Sequence, residues 1–291
     1  MRGVIDIGSN SVLLLVGERD EQGRVVIERD EARITRLAKG ASATGRLDPD
    51  AIERTVDALR EYRVIADSVG ASLTAVATEG LRVAGDPERF LEPAREALGC
   101  DVRMISGDEE ARLSYLSVAR EHGPGPLRVV DIGGASTELV AGDGEAIESS
   151  RSHAVGSVRF TERFVAGDPP TAAELAAVDE AACAALVGQP LTPHPELHGL
   201  AGTVTTAAAL MLELDAYSRE RIDGTRWSVE QVVALRDRLA SVPLAERVGP
   251  VLPNGRADVI VAGLTILVAT LRHCGAQTLV VRDRGLRYAL I

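Results

Sequence analysis

Short aliphatic runs bounded by turn residues mark buried strands along this chain, and longer stretches with apolar residues every three or four positions mark helices. Residues 3–7, 12–16 and 24–34 read as three successive strands, with Gly8-Ser9-Asn10-Ser11 turning between the first two. Asp48-Pro49 is a start signal for a helix over residues 50–69. A strand at 73–77, a helix at 87–98, a strand at 101–105 and a helix at 108–119 follow. The run His122-Gly123-Pro124-Gly125-Pro126 breaks all periodicity and reads as a linker. The pattern then restarts with strands at 127–132, 138–141 and 146–153, and helices at 157–165 and 171–186. A strand at 197–201, helices at 204–214, 229–240 and 256–272, a strand at 278–281 and a short terminal helix complete the chain. Interleaved strands and helices predict an α/β fold, and the restart predicts two domains, 1–122 and 123–291.

The restart is an internal repeat. Placing Asp6 over Asp131 aligns IDIGSNSVLLLVG with VDIGGASTELVAG, so that Asp, Ile, Gly, Ser, Leu and the final Gly coincide. Related halves with one small-residue turn each predict facing turns and a ligand cleft between domains. One of the differences puts a charge in an aliphatic run: Leu13 of the first copy becomes Glu138 in the second. A carboxylate set into a buried strand costs several kcal/mol unless it is hydrogen-bonded, paired or metal-bound.

Composition narrows the function classes. Hydrophobic residues make up 45% and charged residues 26% of 291, as in an ordinary globular protein. The formal net charge of −11 argues against a nucleic-acid binder or an anionic-membrane binder, whose footprints are basic. It leaves room for an anionic substrate in one local site. Cys100, Cys183 and Cys274 are far apart and match no metal spacing, which suits reduced thiols in a cytoplasmic protein. The chain opens directly into a strand, with no signal-peptide pattern, and the uncharged run 259–271 is too short to span a bilayer.

The only lysine, Lys39, has no upstream phosphate-loop glycine, and no H-E-x-x-H, C-x-x-C or G-x-S-x-G occurs. What remains is carboxylates, glycine turns and arginines, the parts of metal-assisted phosphoryl transfer. Backbone N–H groups in small-residue turns cradle anions. Two carboxylates beside such a turn, Asp131 and Glu138, suit a hard metal ion. Glu109 and Glu110 open a helix at Ser106-Gly107-Asp108. Adjacent helical positions point about 100° apart, so only one of them faces a cleft.

DIGSNS at 6–11, ISGDEEARLSYLSV at 105–118 and DIGGASTELV at 131–140 resemble the exopolyphosphatase/guanosine pentaphosphate phosphatase family. ATEGLR at 77–82, AVGSVRF at 154–160, LAGTVTT at 200–206 and GRADVIVAG at 255–263 echo it in the same order. The resemblance implies two ribonuclease-H-like domains of the actin, heat-shock ATPase and sugar-kinase superfamily around an active-site cleft. It makes Glu110 the catalytic base, with Asp131 and Glu138 essential and associated with metal and water. Gly8, Ser9, Asn10 and Ser11 would hold one phosphate, and Gly133, Gly134, Ala135, Ser136 and Thr137 the next. Arg82 takes the place of a phosphate contact. Asp6, Asp131 and Glu138 would position Mg2+.

The implied activity is Mg2+-dependent release of terminal orthophosphate from inorganic polyphosphate. Hydrolysis of guanosine pentaphosphate uses the same residues, and a superfamily small-molecule kinase and a non-catalytic phosphate sensor stand as further alternatives. A homodimer is compatible with the sequence without being specified by it. Two departures bear on activity. Ala135 replaces the family's third glycine, which strains the turn if that position needs positive φ. RLAKG at 36–40 stands where RLGEG is usual, and its Arg36 and Lys39, together with Arg256, are candidate chain-binding cations.

Overall fold

A computed structural model describes residues 1–82 and 84–291. The chain divides into two compact units, Met1–Leu113 with Leu286–Ile291, and Ser114–Gly285. This differs from the division at residue 122 expected from the Gly/Pro run. The boundary falls inside a continuous helix, and the last six residues return to the first unit. Glycine and proline punctuate local structure, whereas a unit is defined by which side chains pack together.

The first unit runs β1 (Arg2–Ile7), β2 (Ser11–Arg19), β3 (Val25–Ile34), α1 (Ala41–Thr44), α2 (Pro49–Ser68), β4 (Ser72–Ala77), α3 (Glu79–Arg82), α4 (Glu88–Leu98), β5 (Val102–Met104) and the start of α5 (Gly107–His122). Its sheet has the order β3-β2-β1-β4-β5; the first three strands are antiparallel, and β1, β4 and β5 run parallel. α2 begins as the sequence predicts: Asp48 Oδ1 accepts from the Ala51 N–H at 3.0 Å and Pro49 fills the first helical position. Its apolar face, with Val56, Leu59 and Tyr62, packs with Phe90 and Leu91 of α4 over Ile5, Ile7 and Leu14.

The second unit contains β6 (Pro126–Ile132), β7 (Thr137–Asp143), β8 (Ala146–His153), α6 (Ser157–Phe164), α7 (Ala172–Leu186), β9 (Glu196–Leu200), α8 (Ala201–Met211), α9 (Arg219–Ile222), β10 (Arg226–Ser228), α10 (Val229–Ala240), α11 (Leu244–Arg247), α12 (Asn254–Ala257), α13 (Ile260–His273) and β11 (Thr278–Val281). Its sheet order, β10-β11-β9-β6-β7-β8, repeats the first sheet's plan with β10 added at one edge. The expected helix at 256–272 is interrupted at Asp258-Val259, giving α12 and α13. Among the described residues, the helical stretch Asn254–His273 is long and apolar enough to cross a membrane, and 78% of its apolar window is buried in the protein. α13 packs against α6, α7, α8 and α10 as the central core helix.

The sequence repeat is a structural repeat down to its register. Asp6 pairs with Leu13 across β1 and β2, and Asp131 pairs with Glu138 across β6 and β7. Both second strands carry a bulge at the glycine that ends the repeat, Gly17 and Gly142. A Cβ would lie 2.4 Å from the Val26 carbonyl oxygen at Gly17 and 2.2 Å from that of Ala146 at Gly142. These glycines are retained because the bulged backbones approach too closely for a side chain.

The terminal helix, α14 (Leu286–Leu290), completes the first unit. Tyr288 and Ile291 pack on Val4 and Leu15, and Leu286 packs on Val76, Ile105 and Leu113. Arg287 is 7% exposed and donates to Asp30 Oδ1 at 2.7 Å, while Tyr288 Oη donates to Oδ2 at 3.1 Å. Arg287→Ala is expected to cost about 3 kcal/mol, the lower end of the range for breaking a buried pair, because Asp30 retains 27% exposure. The change should appear as faster hydrogen exchange in β1 and β2, and unchanged exchange there would exclude the stabilising role.

Candidate active site

Each unit carries one glycine turn, and the two are built alike. The Gly8 N–H donates to the Ser11 carbonyl at 3.0 Å, and the Gly133 N–H to the Ser136 carbonyl at 3.0 Å. In the first turn the Ser9 carbonyl accepts from the Ala38 N–H at 2.9 Å, and the Asn10 carbonyl from those of Thr35 and Arg36 at 3.0 and 2.9 Å. In the second, the Gly133 carbonyl accepts from Ser157 at 3.0 Å, and that of Gly134 from Val158 and Arg159 at 2.9 and 3.0 Å. Carbonyl oxygens repel phosphate, so tying them to neighbouring N–H groups favours an anion on the opposite side of the turn.

Two further glycines let neighbouring segments close on these turns. A Cβ on Gly80 would lie 2.7 Å from Ser9 Cα, and one on Gly156 would lie 2.3 Å from the Gly134 carbonyl oxygen. Both belong to the weaker sequence echoes, ATEGLR and AVGSVRF, without having been read as site residues.

The strain expected at Ala135 does not arise. Among the described residues the non-glycine positions with positive φ are Arg36, Ala201 and Glu213, so alanine fits the second turn without strain. Ser136 is 3% exposed and Thr137 fully buried; the Thr137 hydroxyl donates to the Val155 carbonyl at 2.6 Å. Thr137 therefore shapes the turn from beneath, with its hydroxyl proton already committed.

The exceptional glutamate of the repeat has partners. Ser152, Glu138 and Asp131 lie in one row across β8, β7 and β6. Ser152 Oγ donates to Glu138 Oε1 at 2.7 Å, and Ser114 Oγ on α5 donates to Asp131 Oδ2 at 2.7 Å. The corresponding row of the first unit is Ala32, Leu13 and Asp6, in which an aliphatic side chain takes the place of Glu138. Glu138 is 1% exposed, whereas Asp131 keeps part of its surface open. Desolvation pushes the Asp131 carboxyl above the usual carboxylate range, against the lowering effect of the Ser114 hydrogen bond. Like-charged groups directly opposite on neighbouring strands repel, and a cation relieves that repulsion. Among the described residues no group of three or more His, Cys, Asp and Glu gathers to hold a metal. Two oxygen donors still fit Mg2+, which binds through one or two carboxylates and keeps its other ligands as water and phosphate.

Glu110 is 9% exposed in the first turn of α5. Its neighbour Glu109 points elsewhere, to Arg103 at 2.6 Å, and its N–H is capped by Ser106 Oγ at 3.1 Å. The two adjacent glutamates thus point apart, Glu109 to Arg103 and Glu110 to Arg82, and the capping group at this helix start is Ser106. Arg82 NH2 lies 3.3 Å from Glu110 Oε2, NH1 donates to the Ile105 carbonyl, and Nε donates to Glu79 Oε2 at 3.0 Å. The arginine read as a phosphate contact is thus placed on Glu110 and Glu79. Sequence reading missed Ser114, Ser152 and Glu79. Ser114 was findable, since it stands one helical turn after Glu110 on the same face of α5.

Asp6 lies in the first unit on β1, between Leu13 and Val76, and its charge favours the cationic form of Arg287. Arg36, in RLAKG, has φ 57°, a sparsely populated region for a side-chain-bearing residue. Lys39 is exposed two residues before α1, whose flanking glycines, Gly40 and Gly45, both take left-handed conformations. Arg256 belongs to the second unit, where NH1 donates to Thr206 Oγ1 at 3.0 Å and the guanidinium lies against Gly202.

Two α/β units with matching glycine turns, and an acid pair beside the second turn, define a phosphoryl-transfer enzyme of the actin-like ATPase superfamily. The sequence model of the Ppx/GppA phosphatase family matches residues 15–291, and the chain belongs to that family. It is a hydrolase of phosphoanhydride bonds. Exopolyphosphatase 2 of Mycobacterium tuberculosis is 36% identical over 286 residues, covering 92% of this chain and 89% of that protein. A PPX-GPPA enzyme from Aquifex aeolicus superposes with a TM-score of 0.83 at 36% identity, over 99% of this chain and 97% of that one. An exopolyphosphatase from Cytophaga hutchinsonii gives a TM-score of 0.89 at 24% identity, over 99% and 95% of the two chains, and shares the fold.

Proposed function

We propose that the protein removes terminal orthophosphate from inorganic polyphosphate with the help of Mg2+. The observation that carries this reading is the facing pair Asp131–Glu138 beside a turn whose carbonyls are tied back. The relative from Mycobacterium tuberculosis is named for the same reaction. Asp131 and Glu138 would hold the metal ion, with Ser114 and Ser152 fixing one oxygen of each carboxylate. The chemistry that Mg2+ would supply there is positive charge against the negative charge of the phosphoanhydride. Backbone N–H groups of the two glycine turns, other than those of Gly8 and Gly133 that close the turns, bind phosphate oxygens. Glu110 orients a water and accepts its proton as the oxygen attacks the terminal phosphorus. The leaving group is the shortened polyphosphate.

Guanosine pentaphosphate carries the same terminal group, so a substrate panel tests the assignment. Phosphate release is measured on polyphosphates of defined length and on guanosine pentaphosphate, with Mg2+ and with chelator. The expected result is Mg2+-dependent release from polyphosphate at a higher kcat/KM than from the nucleotide. Turnover confined to the nucleotide reverses the substrate, and full turnover in chelator removes the metal.

A further inference from the structure

In the first unit one guanidinium serves two carboxylates. Glu79 and Arg82 are three residues apart on α3, so both side chains lie on one face of that turn. Arg82 NH2 is 2.8 Å from Glu79 Oε2, and Nε donates to the same oxygen at 3.0 Å. The Ile105 carbonyl accepts from NH1, and Glu110 Oε2 stands 3.3 Å from NH2. Gly80, between Glu79 and Arg82, presses α3 against Ser9 of the first glycine turn. The arginine is thereby fixed from three sides, with the phosphate turn below it and Glu110 at its edge.

We infer that Glu79 is a positioning residue that acts through Arg82 on Glu110; this rests on the assignment of Glu110 as the base. An arginine with a single carboxylate partner closes on it in a two-point fork. Such a fork would immobilise both oxygens of Glu110 and lower its affinity for a proton. Glu79 occupies the Nε/NH2 edge of the guanidinium and the Ile105 carbonyl takes NH1, so with Glu79 in place neither edge is open for the fork. Arg82 then meets Glu110 through NH2 and Oε2, at 3.3 Å. The second anion also restores negative potential around Glu110, which keeps it a stronger base than a carboxylate neutralised by an undivided arginine. At 22% exposure, Glu79 would weaken phosphate binding if Arg82 were chiefly a phosphate contact. Its pairing with Arg82 instead suits control of the base.

The test is a double-mutant cycle with Glu79→Ala, Arg82→Ala and the double variant, plus Glu79→Gln as the conservative change. Glu79→Ala is expected to lower kcat about tenfold with KM changed less than about twofold, and Glu79→Gln, which still accepts from Nε, to recover part of the loss. In the Arg82→Ala background the further Glu79→Ala change should alter kcat by less than about twofold. Equal losses in both backgrounds, or lowered stability with kcat intact, overturn the inference. A second readout does not need turnover: the Glu110 carboxyl carbon, followed by NMR in labelled protein, should titrate at lower pH in Glu79→Ala than in wild type. An unshifted titration overturns the inference. A wild type inactive on every phosphoanhydride overturns the assigned function, while the carboxyl titration still decides whether Glu79 controls Glu110.

Discussion

Replacing Glu138 with leucine is expected to leave a folded, more stable protein that has lost most of its turnover. The substitution copies the first half of the chain, where Leu13 occupies the same register position opposite Asp6. Glu138 is 1% exposed and stands opposite a second carboxylate, so without a bound cation its charge is a cost to folding. Exchange of buried ionic groups for apolar ones of similar volume is often neutral or stabilising by about 1–4 kcal/mol. Ser152, which donates to its carboxylate, retains partial exposure and can turn to water. Turnover should fall by about two to four orders of magnitude, as loss of several kcal/mol of charge stabilisation at a metal site implies. The decisive comparison is the melting temperature with and without Mg2+. Ion binding to the native state raises it in wild type and not in Glu138→Leu. A variant that melts lower than wild type in chelator would show that Glu138 is stabilising in its own right.

Glu110→Ala should reduce turnover by about two to four orders of magnitude with substrate affinity largely retained. A general base acts in the transition state, so its removal lowers kcat and kcat/KM together. Arg82 would keep Glu79 and the Ile105 carbonyl as partners, so no cation is orphaned and stability should change little. Circular dichroism and a binding measurement with a non-hydrolysed phosphate chain check that the variant is folded and competent to bind. Turnover near that of wild type would remove Glu110 from the mechanism.

The strands of both sheets, except the short β10, were legible in the sequence because buried aliphatic runs and turn residues are local signals. The short helices α1, α3, α9 and α11 were not, since single turns have no periodicity to read. The site was legible to the same degree. Repeat comparison singled out Glu138 as a carboxylate at an aliphatic position, and the register shows why: the repeat aligns side chains that occupy the same place in two sheets. The partners of Arg82 were not legible because a sequence motif names a residue without naming what it pairs with, here Glu79 from three positions away and Glu110.

By itself the sequence determined two related α/β halves, a glycine turn in each, and the acids Glu110, Asp131 and Glu138. All of these are written in spacing and residue type. Tertiary structure decided what depends on contacts between distant positions. It returned the last six residues to the first unit, because Leu286, Tyr288 and Ile291 fill that unit's core. It placed Ser114 and Ser152 on the two carboxylates and buried Thr137 beneath its turn. It also relieved Ala135 of the suspected strain, because the backbone there never enters the left-handed region in which a Cβ is penalised.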